Sequence, residues 1–244
     1  MKRHAQVLLL VLTGIGLLHA ALFTDLYLRY VKEGLRPVLI ASGVLLTLLG
    51  LAGAALDRGR DEHAGHAHGH GHDHSTAPRI AWLLFLPALS LLLYAPPALG
   101  AYTAAHSNNK AVEQRKRFDA LPSVSPLPMT LTDFTTRVQQ DRTLALKGRS
   151  VRLTGFATPA GQGGGWYLTR IIFTCCAADS QTVKVRVYGA EVPAANTWLA
   201  VTGTWHAKGA LGTRSAEAAL DARHLQPIAP PVNAYTDDLP LVPS

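Results

Sequence analysis

Apolar residues in this chain gather into three long runs near the start and then break up into short alternating stretches. Val7 to Phe23, Pro37 to Leu56 and Ile80 to Leu99 carry almost no charge, and at about 17 to 20 residues each is long enough to cross a hydrocarbon core. They predict three transmembrane helices. The first opens with Met1-Lys2-Arg3, so a cleaved signal peptide ending near Ala20 or Ala21 competes with it. The charged, aromatic segment Asp25 to Arg36 reads instead as a tight connection between two spans. Pro96-Pro97 closes the third run, and the polar, then Pro-rich stretch from Tyr102 to Pro128 predicts a semi-extended linker.

Beyond the linker a short helix is expected from about Asp133 to Gln140, with Thr132 as its cap and Phe134 and Val138 on one face. The pattern then switches to period two. Val151, Leu153 and Gly155 alternate with Arg152 and Thr154, a glycine turn spans Gly161 to Gly165, and Trp166 to Cys176 forms a long β-rich run. Val183, Val185 and Val187, the run Trp198 to Trp205, and a weaker segment from Ala218 to Leu225 complete five strands. Strands of this length suggest a small all-β, OB-like barrel, because closure removes exposed edges; an open sandwich is the alternative. The expected organisation is a membrane region over 1–100 with a His-rich loop at 57–79, a linker over 101–128, a β domain over 129–226 and a flexible tail over 227–244.

Charge adds little to this picture. The formal net charge is +7, but from Met129 onward 11 Lys or Arg face 8 Asp or Glu, with no basic run interleaved with aromatics, so no nucleic-acid partner is expected. The cluster Lys110, Arg115, Lys116 and Arg117 suits anionic lipid headgroups close to the third span. The first helix has most influence on orientation, and its Lys2-Arg3 start argues for a cytoplasmic N-terminus, although the remaining charges lean slightly the other way. That orientation puts the His loop in the cytoplasm and the β domain outside.

Two groups of side chains carry candidate chemistry. His63, His66, His68, His70, His72 and His74 alternate with small residues that build no core, which makes a loop of imidazoles able to bind zinc, copper or nickel; the plainer reading is a solvated polar loop. Cys175 and Cys176 are the only cysteines. Alternation along a continuing strand faces them to opposite sides, Cys175 inward and Cys176 outward. Packing cysteines, a soft-metal or redox site, and a strained vicinal disulfide remain open. Two thiolates are too few for a structural zinc site, so Asp179, three and four residues on, His206, His224 or a partner would have to contribute; Asp179 otherwise reads as a turn residue and the histidines as surface ones. His19 lies inside the first span, where ionisable residues are functional candidates. Asp25 and Arg29 pair if the first helix runs on to Tyr30. No nucleophile elbow, HExxH, phosphate loop or dinucleotide fingerprint is present, so no catalytic activity is expected.

Asp25-Leu26-Tyr27-Leu28-Arg29-Tyr30-Val31 with Gly34-Leu35-Arg36-Pro37, Ala95 through Gly100, and Arg170 through Cys175-Cys176-Ala177-Ala178-Asp179 resemble the YcgQ-like family of permease subunits. The resemblance covers most of the chain apart from the His loop and the tail. It implies a multi-pass protein of the bacterial cell membrane, a separate multi-span permease as partner, and a link to zinc or other metals, with Cys175, Cys176 and Asp179 as the candidate site. The expectation is an accessory subunit of a membrane transport complex handling zinc or another soft divalent metal. A membrane-anchored thiol redox protein and a non-catalytic interaction module are the alternatives.

Overall fold

The computed structural model describes residues 2–61, 98–107, 114–160 and 165–239. His63 to His74, nearly all of the third apolar run, Lys110 and most of the glycine turn lie outside the described residues. The chain divides into two compact units, one of Met1–Phe23 with Pro37–Ala98 and one of Thr24–Arg36 with Leu99–Ser244.

The first unit contains α1 (Lys2–Leu22) and, from Pro37 onward, α2 (Arg36–Asp61). Two stretches, His4–Leu22 and Glu33–Leu56, are long and apolar enough to cross a membrane, and only 11% of each is buried. Leu8, Leu12, Ile15, Leu45, Leu48 and Leu49 point away from the rest of the protein. Each such side chain gains roughly 1.5–3 kcal/mol on leaving water, so these faces call for an apolar surrounding.

The two helices meet along a seam of small residues. A Cβ on Gly14 would collide with Thr47 Oγ1 and lie 2.7 Å from the Gly43 carbonyl, and one on Gly50 would lie 2.6 Å from Val11 Cγ2. Small residues let helix backbones approach where apolar burial gives no preference for helix over lipid. Gly14→Leu should therefore cost about 1–3 kcal/mol by overpacking. Gly16→Leu, with nothing within 4 Å of its Cβ position, should be neutral; thermal unfolding of the full-length protein in detergent checks both.

The helix does not run on to Tyr30. It stops at Leu22 and is followed by 3-10 turns at Leu26–Arg29 and Glu33–Leu35, so the continuous helix that would pair Asp25 with Arg29 is not formed. Asp25 instead accepts the Leu28 N–H through its backbone carbonyl at 3.1 Å.

The second unit is built on six strands, β1 (Leu127–Pro128), β2 (Ser150–Pro159), β3 (Trp166–Ile172), β4 (Gln181–Tyr188), β5 (Trp198–Trp205) and β6 (Ala219–Pro227). They form one mixed sheet in the order β1-β2-β3-β4-β6-β5, and β2 also pairs with β5. The contacts β1–β2 and β4–β6 are parallel and the others antiparallel. Besides its short parallel contact with β1, the long β2 pairs with β5 over Ser150–Phe156 and with β3 over Phe156–Pro159. Gly155 stands at this changeover, where a Cβ would lie 2.5 Å from the Thr169 carbonyl; the close approach requires glycine.

Inward residues of the alternating strands make the main core, with Leu153, Leu168, Val185 and Val201 against Phe134 and Val138 of α4 (Leu131–Gln140). The cap of this helix is Thr130, whose side chain accepts the Asp133 N–H, and not Thr132. A second cluster joins Phe156, Ile171, Phe173 and Tyr235 to Ala101 and Ala104 of α3 (Ala101–His106).

Linker and tail differ from expectation in the same way. The linker begins with α3, and Arg137 and Arg149 then donate to the carbonyls of Asp119 and Pro122 at 3.0 and 2.6 Å. The tail is laid down as far as Thr236: Arg170 donates to the Asn233 and Thr236 carbonyls, and Tyr235 is 8% exposed. In both segments arginines of the folded β domain, Arg137 from α4, Arg149 just before β2 and Arg170 from β3, satisfy backbone carbonyls that composition alone assigns to water.

Candidate metal centre

The strand β3 ends at Ile172, four residues before the alternating pattern does. Phe173 leaves the ladder to stack on Tyr235, with ring centres 4.5 Å apart and planes at 5°, and its N–H donates to the Tyr235 carbonyl at 3.0 Å. With Phe173 fixed, Thr174 to Cys176 turn outward, a 3-10 turn follows at Ala177–Asp179, and β4 begins at Gln181.

The Asp179 carboxylate organises this loop. Its Oδ1 accepts the N–H groups of Thr174 and Cys176 at 3.1 and 3.2 Å, and its Oδ2 accepts that of Cys175 at 2.8 Å. Three successive amides folded on one anion form a concave nest. Partial desolvation works against the charged form, but hydrogen bonds from the Cys175 thiol and from these amides prevail and hold the carboxyl below the usual carboxylate range. The same contact acts in reverse on the thiol. The hydrogen bond to Asp179, then that to Cys176, desolvation and the neighbouring negative charge push Cys175 up to about 11.

Because the strand has ended, alternation no longer applies. Cys175 is exposed and Cys176 half-buried, the reverse of the parity expectation, and their sulfurs lie on one side, 3.6 Å apart. A disulfide needs about 2.05 Å. Two thiolates on one tetrahedral zinc, with Zn–S near 2.3 Å, stand about 3.8 Å apart. A ligand atom from each of Cys175, Cys176 and Asp179 falls within 4.8 Å of the others.

The remaining sequence candidates lie elsewhere. His206 pairs with Asp221 at 2.7 Å and stacks on Tyr188 at 4.1 Å, and His224 sits on β6 opposite Thr202; neither belongs to the three-residue cluster. His19 is exposed near the end of α1 and stacks on Phe23.

A sequence model of the DUF1980 C-terminal domain matches residues 110–236, more than half of the chain and all three clustered donors. The chain belongs to the DUF1980 C-terminal domain family. No curated protein and no solved structure matches it. The DUF1980 match spans β1 to β6 and includes Tyr235, so the ring that anchors Phe173 belongs to the same module as the thiols.

One contributor to the loop falls outside the matched DUF1980 region and was missed by sequence reasoning. Val31 forms an isolated antiparallel β-bridge with Cys176. The signal available was indirect: two of the stretches that carry the family resemblance, Asp25 to Val31 and Arg170 to Asp179, contain the two sides of this bridge.

Proposed function

We propose that this chain is an accessory subunit of a membrane transport complex, one that handles zinc or another soft divalent metal and carries out no catalysis of its own. The observation that carries this reading is the sulfur pair, set 3.6 Å apart with Asp179 beside it. Soft thiolates select zinc and similar ions, and three protein donors leave a tetrahedral ion with one open position. Such a site passes its ion on, whereas four closed ligands would retain it.

The outward apolar faces of α1 and α2 support membrane insertion, with Ile80 to Leu99 as a third span. The strand pairings, which run from β2 through β3, β4, β6 and β5 back to β2, support an OB-like barrel. In this reading the N-terminus is cytoplasmic, the β domain is extracytoplasmic, and His63 to His74 raise metal concentration on the cytoplasmic face. The YcgQ-like resemblance supplies the partner, a multi-span permease of the bacterial cell membrane.

Both thiols lie in one loop and are the only ones in the chain, so a membrane-impermeant maleimide tests site and topology together. Labelling of intact cells should occur and should rise severalfold when a zinc chelator is added. Labelling only after lysis would invert the topology, and labelling indifferent to the chelator would remove the metal.

A further inference from the structure

The connection between α1 and α2 grips the thiol loop through its backbone. The Lys32 N–H donates to the Cys175 carbonyl at 2.9 Å, and the Ala177 N–H donates to the Tyr30 carbonyl at 2.8 Å. These two bonds hold the two peptide groups that flank Cys176. The Cys175 residue is held from both sides, since its own N–H is bound by Asp179 at 2.8 Å. The gripping segment is anchored in turn: Tyr27 is buried, and the Arg36 guanidinium lies over its ring at 6.0 Å. Phe23–Thr24 and Arg36–Pro37 join it covalently to the two apolar helices.

From this juxtaposition we infer that residues 30–32 are a positioning element of the thiol site, and that occupancy of the site by metal is energetically coupled to the fixing of the α1–α2 connection. The inference rests on the metal-binding reading above and adds to it a route by which a loaded site acts on the helix pair. Chelation requires both sulfurs to turn onto one ion, and the direction each takes is set by the peptide planes on either side of Cys176. A bridge that holds those planes favours binding. Coupling between binding equilibria is reciprocal, so bound metal tightens the bridge by the same factor. The residues that feel the change lead directly into the end of α1 and the start of α2.

Lys32 allows a sharp test. Its φ of −67° and ψ of 146° already suit proline, so Lys32→Pro deletes the donated N–H with little backbone strain, while Lys32→Ala keeps it. Zinc affinity is measured by chelator competition on the full-length protein in detergent, and amide exchange at Lys32 is followed with and without zinc. Zinc should slow Lys32 exchange in the wild type. K32P should bind one zinc about five- to tenfold more weakly, the equivalent of one net hydrogen bond, and K32A should match the wild type. Unchanged affinity in K32P, or wild-type Lys32 exchange that zinc does not alter, overturns the coupling. Exchange in β5 and β6 reports whether K32P keeps its sheet, and if it does not, the wild-type exchange result decides alone. Zinc binding that survives Cys175→Ser with Cys176→Ser, or that is absent from the wild type, overturns the metal reading itself.

Discussion

Serine at both Cys175 and Cys176 should lower the zinc affinity of the full-length protein by at least about a hundredfold, since even outer-shell partners of a metal are worth ten- to hundredfold. The far-UV circular dichroism should stay unchanged, because neither thiol is part of the core and the loop is held by main-chain groups on Asp179. Asp179→Asn should cost less, about tenfold, because an amide oxygen can still accept the Thr174 and Cys176 N–H groups, although the NH2 cannot accept that of Cys175 and the side chain brings no charge to the ion. The pH dependence has a definite sign. Cys175 keeps its proton up to about 11 because the Asp179 carboxylate accepts its S–H, so at neutral pH each zinc that takes this sulfur must release at least that proton. Apparent affinity should therefore rise by at least about tenfold per pH unit between pH 6 and 8 and fall by the same factor on acidification. A titration flat across that range would mean that Cys175 is not a ligand. The same raised pKa disfavours the thiol-redox alternative, in which the attacking group must be a thiolate near neutral pH.

The parts of the fold that were legible are those whose signal is local. α1 and α2 follow from long uncharged runs, and β5 occupies the Trp198 to Trp205 span that period-two alternation marks. Alternation failed at the end of β3 because it describes side chains on a continuing ladder, and Phe173 leaves that ladder to meet a ring far along the chain. The faces assigned to the two cysteines were reversed for that reason. The prolines and acids of the tail predict flexibility, yet Arg170 reaches its carbonyls and Tyr235 donates its hydroxyl to the Leu99 carbonyl at 2.8 Å. Composition reports what a segment lacks, and these contacts depend on what lies opposite. Within the candidate site, Asp179 was legible because a turn closes a spacing of three and four residues. The Val31–Cys176 bridge was not, since a single pair between distant segments leaves no period in either.

Trp166→Ala should cost about 3–5 kcal/mol, a large share of the roughly 5–15 kcal/mol that keeps a domain folded. Trp166 is the first residue of β3, fully buried at 0% exposure, and the largest of the fully buried side chains. Its backbone pairs with Pro159 of β2 and Val187 of β4, and its side chain belongs to the main core, so the cavity would open in the core beneath β3. Trp166→Phe separates volume from polarity. The indole Nε1 is buried and has no hydrogen-bond partner among the described residues, and an unsatisfied buried donor carries a penalty of about 1–3 kcal/mol. Phenylalanine gives up part of the volume but removes that donor, so W166F should lose less than about 2 kcal/mol. Thermal unfolding of the full-length protein in detergent, followed by near-UV circular dichroism, measures both; equal losses in the two variants would mean that cavity volume does not set the cost. Because β3 delivers Phe173 and then the thiol loop, W166A should bind zinc normally at temperatures where the domain is folded and lose it only along the melting curve. Loss of zinc well below that transition would place Trp166 in control of the loop's geometry as well as of the core.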